Sequence, residues 1–308
     1  MAIVRTALLY ASQSEWLAHQ ARSRRFAQRA VARFMPGEDA DAALRASEEL
    51  RSGGITTVLT QLGEDVEERA QAEAVTEHYL GVLDEIARRS LRSHISVKLT
   101  QLGLDIAVDI CRAQVETIVT RAAELKNIVW IDMEGSGHVD ATIEIFRTVQ
   151  EKHHNVGLCL QAYLHRTPDD LSQLLSVGAR IRLVKGAYRE PPSVAMPRKA
   201  DVDARFLEIA KALLADDARR AGVVPGIATH DMRLVATIRG YAREKGLPKD
   251  ACEVQMLYGI GTEDQSRLAA EGAAIRVLIS YGTAWFPWYM RRLAERPANL
   301  WFVLRSLV

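Results

Sequence analysis

The sequence predicts an α/β protein folded as a (β/α)8 barrel. Eight short apolar runs alternate with longer segments of helical periodicity, and eight such units in roughly 250 residues match the usual size of this barrel. The apolar runs cover residues 55–60, 94–100, 127–133, 156–161, 180–185, 224–230, 252–257 and 274–280. The helical segments cover residues 67–90, 109–126, 140–152, 168–177, 202–221, 232–245 and 263–272. The same alternation also allows a doubly wound open sheet.

The first 50 residues differ in pattern from the rest of the chain. Val4, Leu8 and Trp16 belong to a set of apolar residues at helical spacing, with mostly polar residues between them. The glycine pair Gly53-Gly54 then interrupts the helical pattern. We therefore expect an N-terminal helical arm at residues 1–50 and the barrel at residues 51–308.

Composition excludes several classes of function. The 40 basic and 39 acidic side chains give a net charge of +1, which provides no electrostatic basis for binding nucleic acid. No apolar run reaches the ~18 residues that a membrane-spanning helix needs. The three cysteines have no metal-ligand spacing, and no metal site is expected. These features, together with the absence of a signal-peptide pattern, predict a soluble cytoplasmic protein.

Polar residues occupy one face of several predicted strands. Because side chains alternate along a strand, the apolar column should pack on the helices and the polar column should face the barrel interior. The residues so placed are Lys98, Asp132, Gln161, Arg182 and Gln255. We expect Lys98 and Asp132 to pair near the strand ends, where barrels build their active sites. A paired polar network without a ligand is the alternative.

Two adjacent arginines, Arg291 and Arg292, lie on a predicted helix near the C-terminus. Glu295 follows at a spacing that allows it to pair with one of them, and the other can then bind a carboxylate. Aromatic residues flank this helix on both sides, so it is expected to lie against the protein over the barrel mouth. A solvated surface helix is the alternative.

Two glycine pairs follow strands. Gly135-Ser-Gly137 and Gly259-Ile-Gly261 both lack the third glycine of a dinucleotide-binding fingerprint, so a Rossmann site is not predicted. The second pair suits either a phosphate-binding loop or a plain tight turn.

An ordered set of motifs resembles the proline dehydrogenase family. The motifs are SVKL at 96–99, WIDME at 130–134, GLCLQAY at 157–163, RLVKGAY at 182–188, ATHD at 228–231, EVQML at 253–257 and the arginine pair at 291–292. The resemblance spans residues 50–308 and is closest in size to the stand-alone bacterial form. It implies a distorted (β/α)8 barrel that binds FAD, oxidises L-proline to Δ1-pyrroline-5-carboxylate and passes electrons to a quinone. It leaves open a peripheral contact with the inner face of the cell membrane.

The resemblance also implies roles for individual residues. Asp132 and Arg182 would be catalytic, with Asp132 paired to Lys98. The substrate-binding residues would be Lys98, Tyr188, Leu257, Leu278, Arg291 and Arg292. The FAD-binding residues would be Met133, Gln161, Arg182, Lys185, Gly186, Ala187, Thr229 and His230.

One position departs from the family pattern. Leu278 stands where the family has a tyrosine that packs on the substrate ring, and Tyr281 is not expected to replace it. A larger pocket suggests a dehydrogenase for hydroxyproline or another substituted cyclic amino acid as an alternative. Two further alternatives are a lyase with a Schiff base on Lys98 or Lys185, and a flavin-binding relative without catalysis.

Overall fold

Eight parallel strands close into a barrel in chain order in the computed structural model, which describes residues 31–63, 66–286 and 289–290. The strands are β1 (Thr56–Gln61), β2 (Ser93–Val97), β3 (Val129–Ile131), β4 (Val156–Gln161), β5 (Arg180–Val184), β6 (Val224–Ala228), β7 (Glu253–Leu257) and β8 (Ile275–Tyr281). The described helices are α1 (Ala40–Ser52), α2 (Arg69–Arg88), α3 (Val108–Glu124), α4 (Val139–Gln150), α5 (Thr167–Leu175), α6 (Lys199–Leu213), α7 (Asp216–Arg220), α8 (Met232–Glu244) and α9 (Thr262–Ala270). The closed barrel confirms the predicted fold class and excludes the open sheet.

The hydrophobic core lies between the strands and the surrounding helices. The apolar column of each strand is buried there, as the alternation predicts; Ile95, Val97, Ile181 and Leu183 have no exposed surface. Each such side chain contributes about 1.5–3 kcal/mol of burial. The three cysteines are also buried and carry free thiols. The polar columns are left to fill the barrel interior.

Helix α1 packs on the outside of β1 and β8. It begins at Asp39, whose side chain accepts a hydrogen bond of 2.7 Å from the backbone N–H of Ala42. The hydroxyl of Ser47 accepts a hydrogen bond of 3.0 Å from Thr57 on β1. The helix runs through the position at which the sequence analysis divides arm from barrel, between residues 50 and 51. Residues 1–30 of the predicted arm lie outside the described residues.

Two differences from the predicted elements have a visible cause in the structure. Strand β2 ends at Val97, whereas the apolar run continues to residue 100. The carboxylate of Glu134 accepts hydrogen bonds from the backbone N–H and hydroxyl of Thr100, at 3.0 and 2.7 Å, and the chain turns there into a short 3₁₀ helix.

The predicted helix at 202–221 is two helices, α6 and α7. The chain is extended at Ala215, and the carboxylates of Asp216 and Asp217 lie in the first turn of α7, where they favour a helix start.

Candidate functional site

Five polar side chains reach the barrel interior, as the alternation along the strands predicts. They are Lys98 after β2, Asp132 after β3, Gln161 at the end of β4, Arg182 within β5 and Gln255 within β7. All are largely buried. A polar interior is costly unless its groups are paired with one another.

Asp132 is the shared acceptor of this cluster. One carboxylate oxygen accepts hydrogen bonds of 2.8 Å from Ser96 and from Arg182. The other accepts one of 3.5 Å from Lys98, which confirms the predicted pair. Burial by itself raises the pKa of Asp132, but the charges of Lys98 and Arg182 and the hydrogen bond from Ser96 outweigh it, and the pKa falls below its ordinary value. Asp132 is therefore a carboxylate that holds two cations in place.

Arg182 is held on several sides. Its Nε donates to the side-chain oxygen of Gln255 at 2.7 Å, and its Nη1 donates to Ser96 at 2.9 Å and to Asp132. Its guanidinium carbon lies 4.7 Å from the ring centre of Trp130, in a cation–π contact. The Nη2 atom is buried and donates to none of the described residues. Nη2 of Arg182 is therefore available as a donor to an acceptor atom of a bound molecule.

Gln161 fixes the loop that follows β3. Its side-chain nitrogen donates to the carbonyls of Met133 and Glu134, at 2.9 and 3.2 Å. Its side-chain oxygen is buried and accepts from none of the described residues. Gln161 therefore offers an acceptor in the same part of the interior where Arg182 offers a donor.

A charged cluster forms where the chain leaves β5 and β6. The ammonium of Lys185 donates to Asp203 at 2.5 Å and to Asp231 at 3.4 Å. The backbone N–H of Asp231 donates to the hydroxyl of Thr229 at 3.1 Å. Nε2 of His230 accepts from the backbone N–H of Leu257 at 3.2 Å, so the ring carries its proton on Nδ1. These contacts set the positions of Lys185, Thr229 and His230 on one rim.

The loop after β5 approaches Tyr163 closely. Gly186 has a φ of 118°, and a Cβ at this position would lie 2.1 Å from the tyrosine ring. Only glycine fits such a conformation and such an approach. The next residue, Ala187, is exposed, and Tyr188 is partly buried.

Leu278 is on the interior face of β8. It is the register partner of Leu257 on β7, and both side chains are partly exposed. Tyr281 points to the other side of β8, where its hydroxyl lies 2.9 Å from His78 of α2 and the side chain is buried. The position of Tyr281 agrees with the expectation that it does not replace the missing tyrosine.

Three predicted residues, Arg291, Arg292 and Glu295, lie outside the described residues. Among the described residues no group of histidine, cysteine, aspartate and glutamate has the arrangement of a metal site. No described helix is both long enough and apolar enough to cross a bilayer.

The family model described as "Proline dehydrogenase" matches residues 43–305. The chain belongs to the proline dehydrogenase family. Proline dehydrogenase 2 of Bacillus subtilis subsp. natto is 36% identical over 308 residues, which is 100% of this chain and 99% of the relative. Proline dehydrogenase of Deinococcus radiodurans is 34% identical over 281 residues, which is 90% of this chain and 89% of the relative. The protein is thus an oxidoreductase that acts on proline.

Solved structures share the fold. Proline utilization A from Bdellovibrio bacteriovorus, inactivated by N-propargylglycine, matches with a TM-score of 0.81 at 24% identity, over 87% of this chain and 33% of its own. Proline utilization A of Bradyrhizobium japonicum matches with a TM-score of 0.75 at 22% identity, over 91% and 32%. Membership in the proline dehydrogenase family argues against the Schiff-base lyase. The ammonium groups of Lys98 and Lys185 lie in ion pairs with carboxylates.

Several residues of the candidate site were not singled out as site residues from the sequence. Ser96 bridges Asp132 and Arg182, Trp130 covers the guanidinium, and Glu253 reaches Arg182 through Gln255. Ser96 is two residues before Lys98 and Trp130 is two residues before Asp132, so side-chain alternation puts each pair on one face. That shared face was the available signal for both.

Proposed function

We propose that this chain oxidises L-proline to Δ1-pyrroline-5-carboxylate with bound FAD and that the electrons pass on to a quinone. The observation that carries the proposal is the held guanidinium of Arg182, which presents a buried donor inside the barrel beside the Lys98–Asp132 pair. A fixed cation in a water-poor site favours negative charge that develops next to it.

The residues present suit FAD. Nη2 of Arg182 and Oε1 of Gln161 are buried polar atoms that pair with none of the described residues, and a bound cofactor would satisfy both. FAD, when bound, supplies the acceptor for a hydride. The residues proposed to hold it are Met133, Gln161, Arg182, Lys185, Gly186, Ala187, Thr229 and His230. The backbone of Gly186 allows a close approach that a side chain would block.

The substrate is proposed to bind through its carboxylate. Lys98 is held by Asp132 at 3.5 Å, so its ammonium is kept at the barrel mouth as a fixed positive charge. Arg291 and Arg292 would add two guanidinium groups to the same carboxylate, with Glu295 orienting Arg291. Tyr188, Leu257 and Leu278 would line the pyrrolidine ring.

The reaction removes two electrons and two protons from proline. The amine nitrogen loses a proton, a hydride leaves C5, and the C5–N bond becomes a double bond; the quinone receives both electrons together with two protons and becomes a quinol. Asp132, which is ionised, contributes by keeping Lys98 and Arg182 at fixed positions around the substrate.

A second candidate substrate is a proline substituted at C4, such as hydroxyproline. Leu278 and its register partner Leu257 form an apolar wall in this part of the barrel, and Tyr281 is turned away from it. Because an apolar wall rejects an added hydroxyl only weakly, the site would admit both substrates.

We propose that the protein is cytoplasmic. Because its electrons are proposed to pass to a quinone, we also propose a peripheral contact with the inner face of the cell membrane. We also propose that residues 1–50 form a helical arm and residues 51–308 the catalytic barrel.

The test is turnover of L-proline by purified protein with a soluble quinone analogue. We expect one equivalent of quinol for each equivalent of a product two hydrogens lighter than proline. Quinol formation without that product, or no turnover by protein that contains flavin, would contradict the proposal.

A further inference from the structure

The side chains of Trp130 and Gln255 enclose the guanidinium of Arg182 within the sheet. We call this pair of side chains the Arg182 cradle. The ring of Trp130 covers the guanidinium at 4.7 Å, and the amide oxygen of Gln255 accepts from Nε at 2.7 Å. Gln255 is 4% exposed and Arg182 is 3% exposed, so water cannot replace a lost contact at low cost.

Glycines on the strands beside β5 leave room for the Arg182 cradle. A Cβ at Gly157 on β4 would lie 2.5 Å from the Trp130 ring. A Cβ at Gly226 on β6 would lie 2.7 Å from the amide nitrogen of Gln255, and Gly226 is the register partner of Arg182. Neither glycine has a left-handed φ, so space, and not backbone conformation, requires glycine there.

The amide of Gln255 has a defined orientation. Its nitrogen donates to Glu253 at 2.8 Å. The same oxygen of Glu253 accepts from Nε of Arg276 at 2.8 Å, and Arg276 donates to the carbonyl of Thr57 at 2.7 Å. Because the amide nitrogen is committed to Glu253, the amide oxygen must face Arg182. A flipped amide would instead set an N–H group against the Nε–H of the arginine.

We propose that Gln255 and Glu253 are positioning residues for Arg182. Glu253 fixes the orientation of the Gln255 amide. The amide oxygen in turn holds Nε of Arg182, so that Nη2 of the same guanidinium points into the site. The inference rests on the proposed function, in which Arg182 acts on the bound cofactor and substrate.

The test compares Gln255→Met, Glu253→Met and the double variant as flavin-loaded proteins. Gln255→Met removes the acceptor for Nε, and Glu253→Met lets the amide turn. For both we expect kcat to fall at least about tenfold, the size of one lost charge-assisted hydrogen bond. We also expect the flavin midpoint potential to become more negative. The kcat of the double variant should be within about threefold of the kcat of Gln255→Met, because Glu253 acts through Gln255. Glu253→Gln keeps an acceptor oxygen, so its kcat should fall less than that of Glu253→Met.

A second variant perturbs the amide without removing a polar group. In Gly226→Ala the new methyl displaces the end of the Gln255 side chain, and we expect a lower kcat and a more negative potential with little change in Tm. Gly240→Ala is the matched control, since a Cβ there meets no atom within 4 Å. It should leave kcat, potential and flavin content unchanged.

Arg182→Met separates this inference from the proposed function. If Arg182→Met loses turnover while Gln255→Met and Gly226→Ala keep wild-type kcat and potential, the positioning role is overturned and the proposed function stands. A loss of kcat in the Glu253/Gln255 double variant equal to the product of the two single losses would also overturn the role, since it would mean that the two residues act independently. If Arg182→Met itself turns over proline normally, Arg182 has no role in the reaction and the positioning role of Gln255 and Glu253 is overturned, while proline oxidation stands.

Discussion

Asp132 and Arg182 share a hydrogen bond of 2.8 Å across the barrel interior, although β3 and β5, from which they project, are separated by β4. Cys159, the residue of β4 in register with Arg182, has a small side chain on the strand that lies between them. With Lys98 on the other carboxylate oxygen, Asp132 joins three of the eight strands. The relative position of Asp132 and Arg182 therefore depends on how the strands are arranged around the closed barrel.

The first prediction concerns Asp132→Asn. The asparagine keeps the shape but removes the negative charge that compensates Lys98 and Arg182, so we expect kcat/KM for proline to fall at least a hundredfold. The free energy of unfolding should fall by about 3 kcal/mol, because two largely buried cations lose their partner. Steady-state kinetics and urea unfolding measure the two effects.

Asp140→Asn is the matched control for this variant. Its side chain is 85% exposed and pairs with Arg166 at the surface, so the free energy of unfolding should change by less than about 1 kcal/mol. An Asp132→Asn enzyme with the stability and kcat/KM of this control would show that the carboxylate does not organise the site.

The second prediction concerns the pH dependence of stability through Asp231. Burial raises the pKa of Asp231, but the hydrogen bond from Arg233 and the charge of Lys185 outweigh it and lower the pKa from 3.8 to about 2. A lowered pKa in the folded state stabilises the protein above the unfolded-state value and loses that contribution as the pH falls through the folded-state value. The stabilising effect of Asp231 should therefore disappear between about pH 4 and about pH 2.

Asp231→Asn isolates this effect, because asparagine also caps the start of α8 well. We expect the variant to unfold at lower urea concentration than the wild type at pH 6, and the difference to shrink as the pH approaches 2. The exposed Asp250 provides an Asp→Asn control. A difference that stays constant with pH would mean that the charge of Asp231 is not the cause.

The outline of the fold was predictable because apolar runs alternate with helical segments along the chain, and the inward residues were predictable because side chains alternate along each strand. The alternation along the strands predicts that Lys98, Asp132, Gln161 and Arg182 all face the barrel interior. Contacts between strands that are not neighbours, such as Asp132 with Arg182, depend on barrel closure and on strand stagger, which a single strand does not encode.

Element ends were less predictable for a similar reason. The turn after Val97 depends on Glu134, a residue distant in sequence whose carboxylate binds Thr100. The break between α6 and α7 had a local signal, the two carboxylates of Asp216 and Asp217, but helical periodicity on both sides obscured it.

The third prediction concerns Leu278→Tyr. A tyrosine would contact the proline ring and collide with a C4 hydroxyl, whereas leucine leaves space there; one such contact is worth about 1–3 kcal/mol. We expect the ratio of kcat/KM for proline over trans-4-hydroxyproline to rise in the variant. Leu278 and Leu257 are register partners, so Leu257→Met provides a conservative control for general disturbance of this wall. A ratio that is unchanged or lower in Leu278→Tyr would show that residue 278 does not contact the substrate.

The fourth prediction concerns Arg291→Met and Arg292→Met. Each change removes a proposed charge-assisted contact to the substrate carboxylate, worth about 1.5–3 kcal/mol. KM for proline should rise roughly tenfold to a hundredfold, while the flavin content per chain stays at the wild-type level. Arg239→Met, which removes a surface ion pair with Glu271, is the control. Wild-type KM values in both variants would rule out a role for these arginines in binding the carboxylate.

The most direct test of the central claim is an anaerobic titration of the purified protein with L-proline, followed by its visible spectrum. FAD as the resident cofactor predicts absorbance near ~450 nm before any addition. It also predicts loss of that absorbance on addition of L-proline, with one pyrroline carboxylate formed for each flavin reduced, and no loss with an equal concentration of glycine. A protein that binds no flavin when FAD is supplied, or a flavin spectrum that L-proline leaves unchanged, would contradict the account.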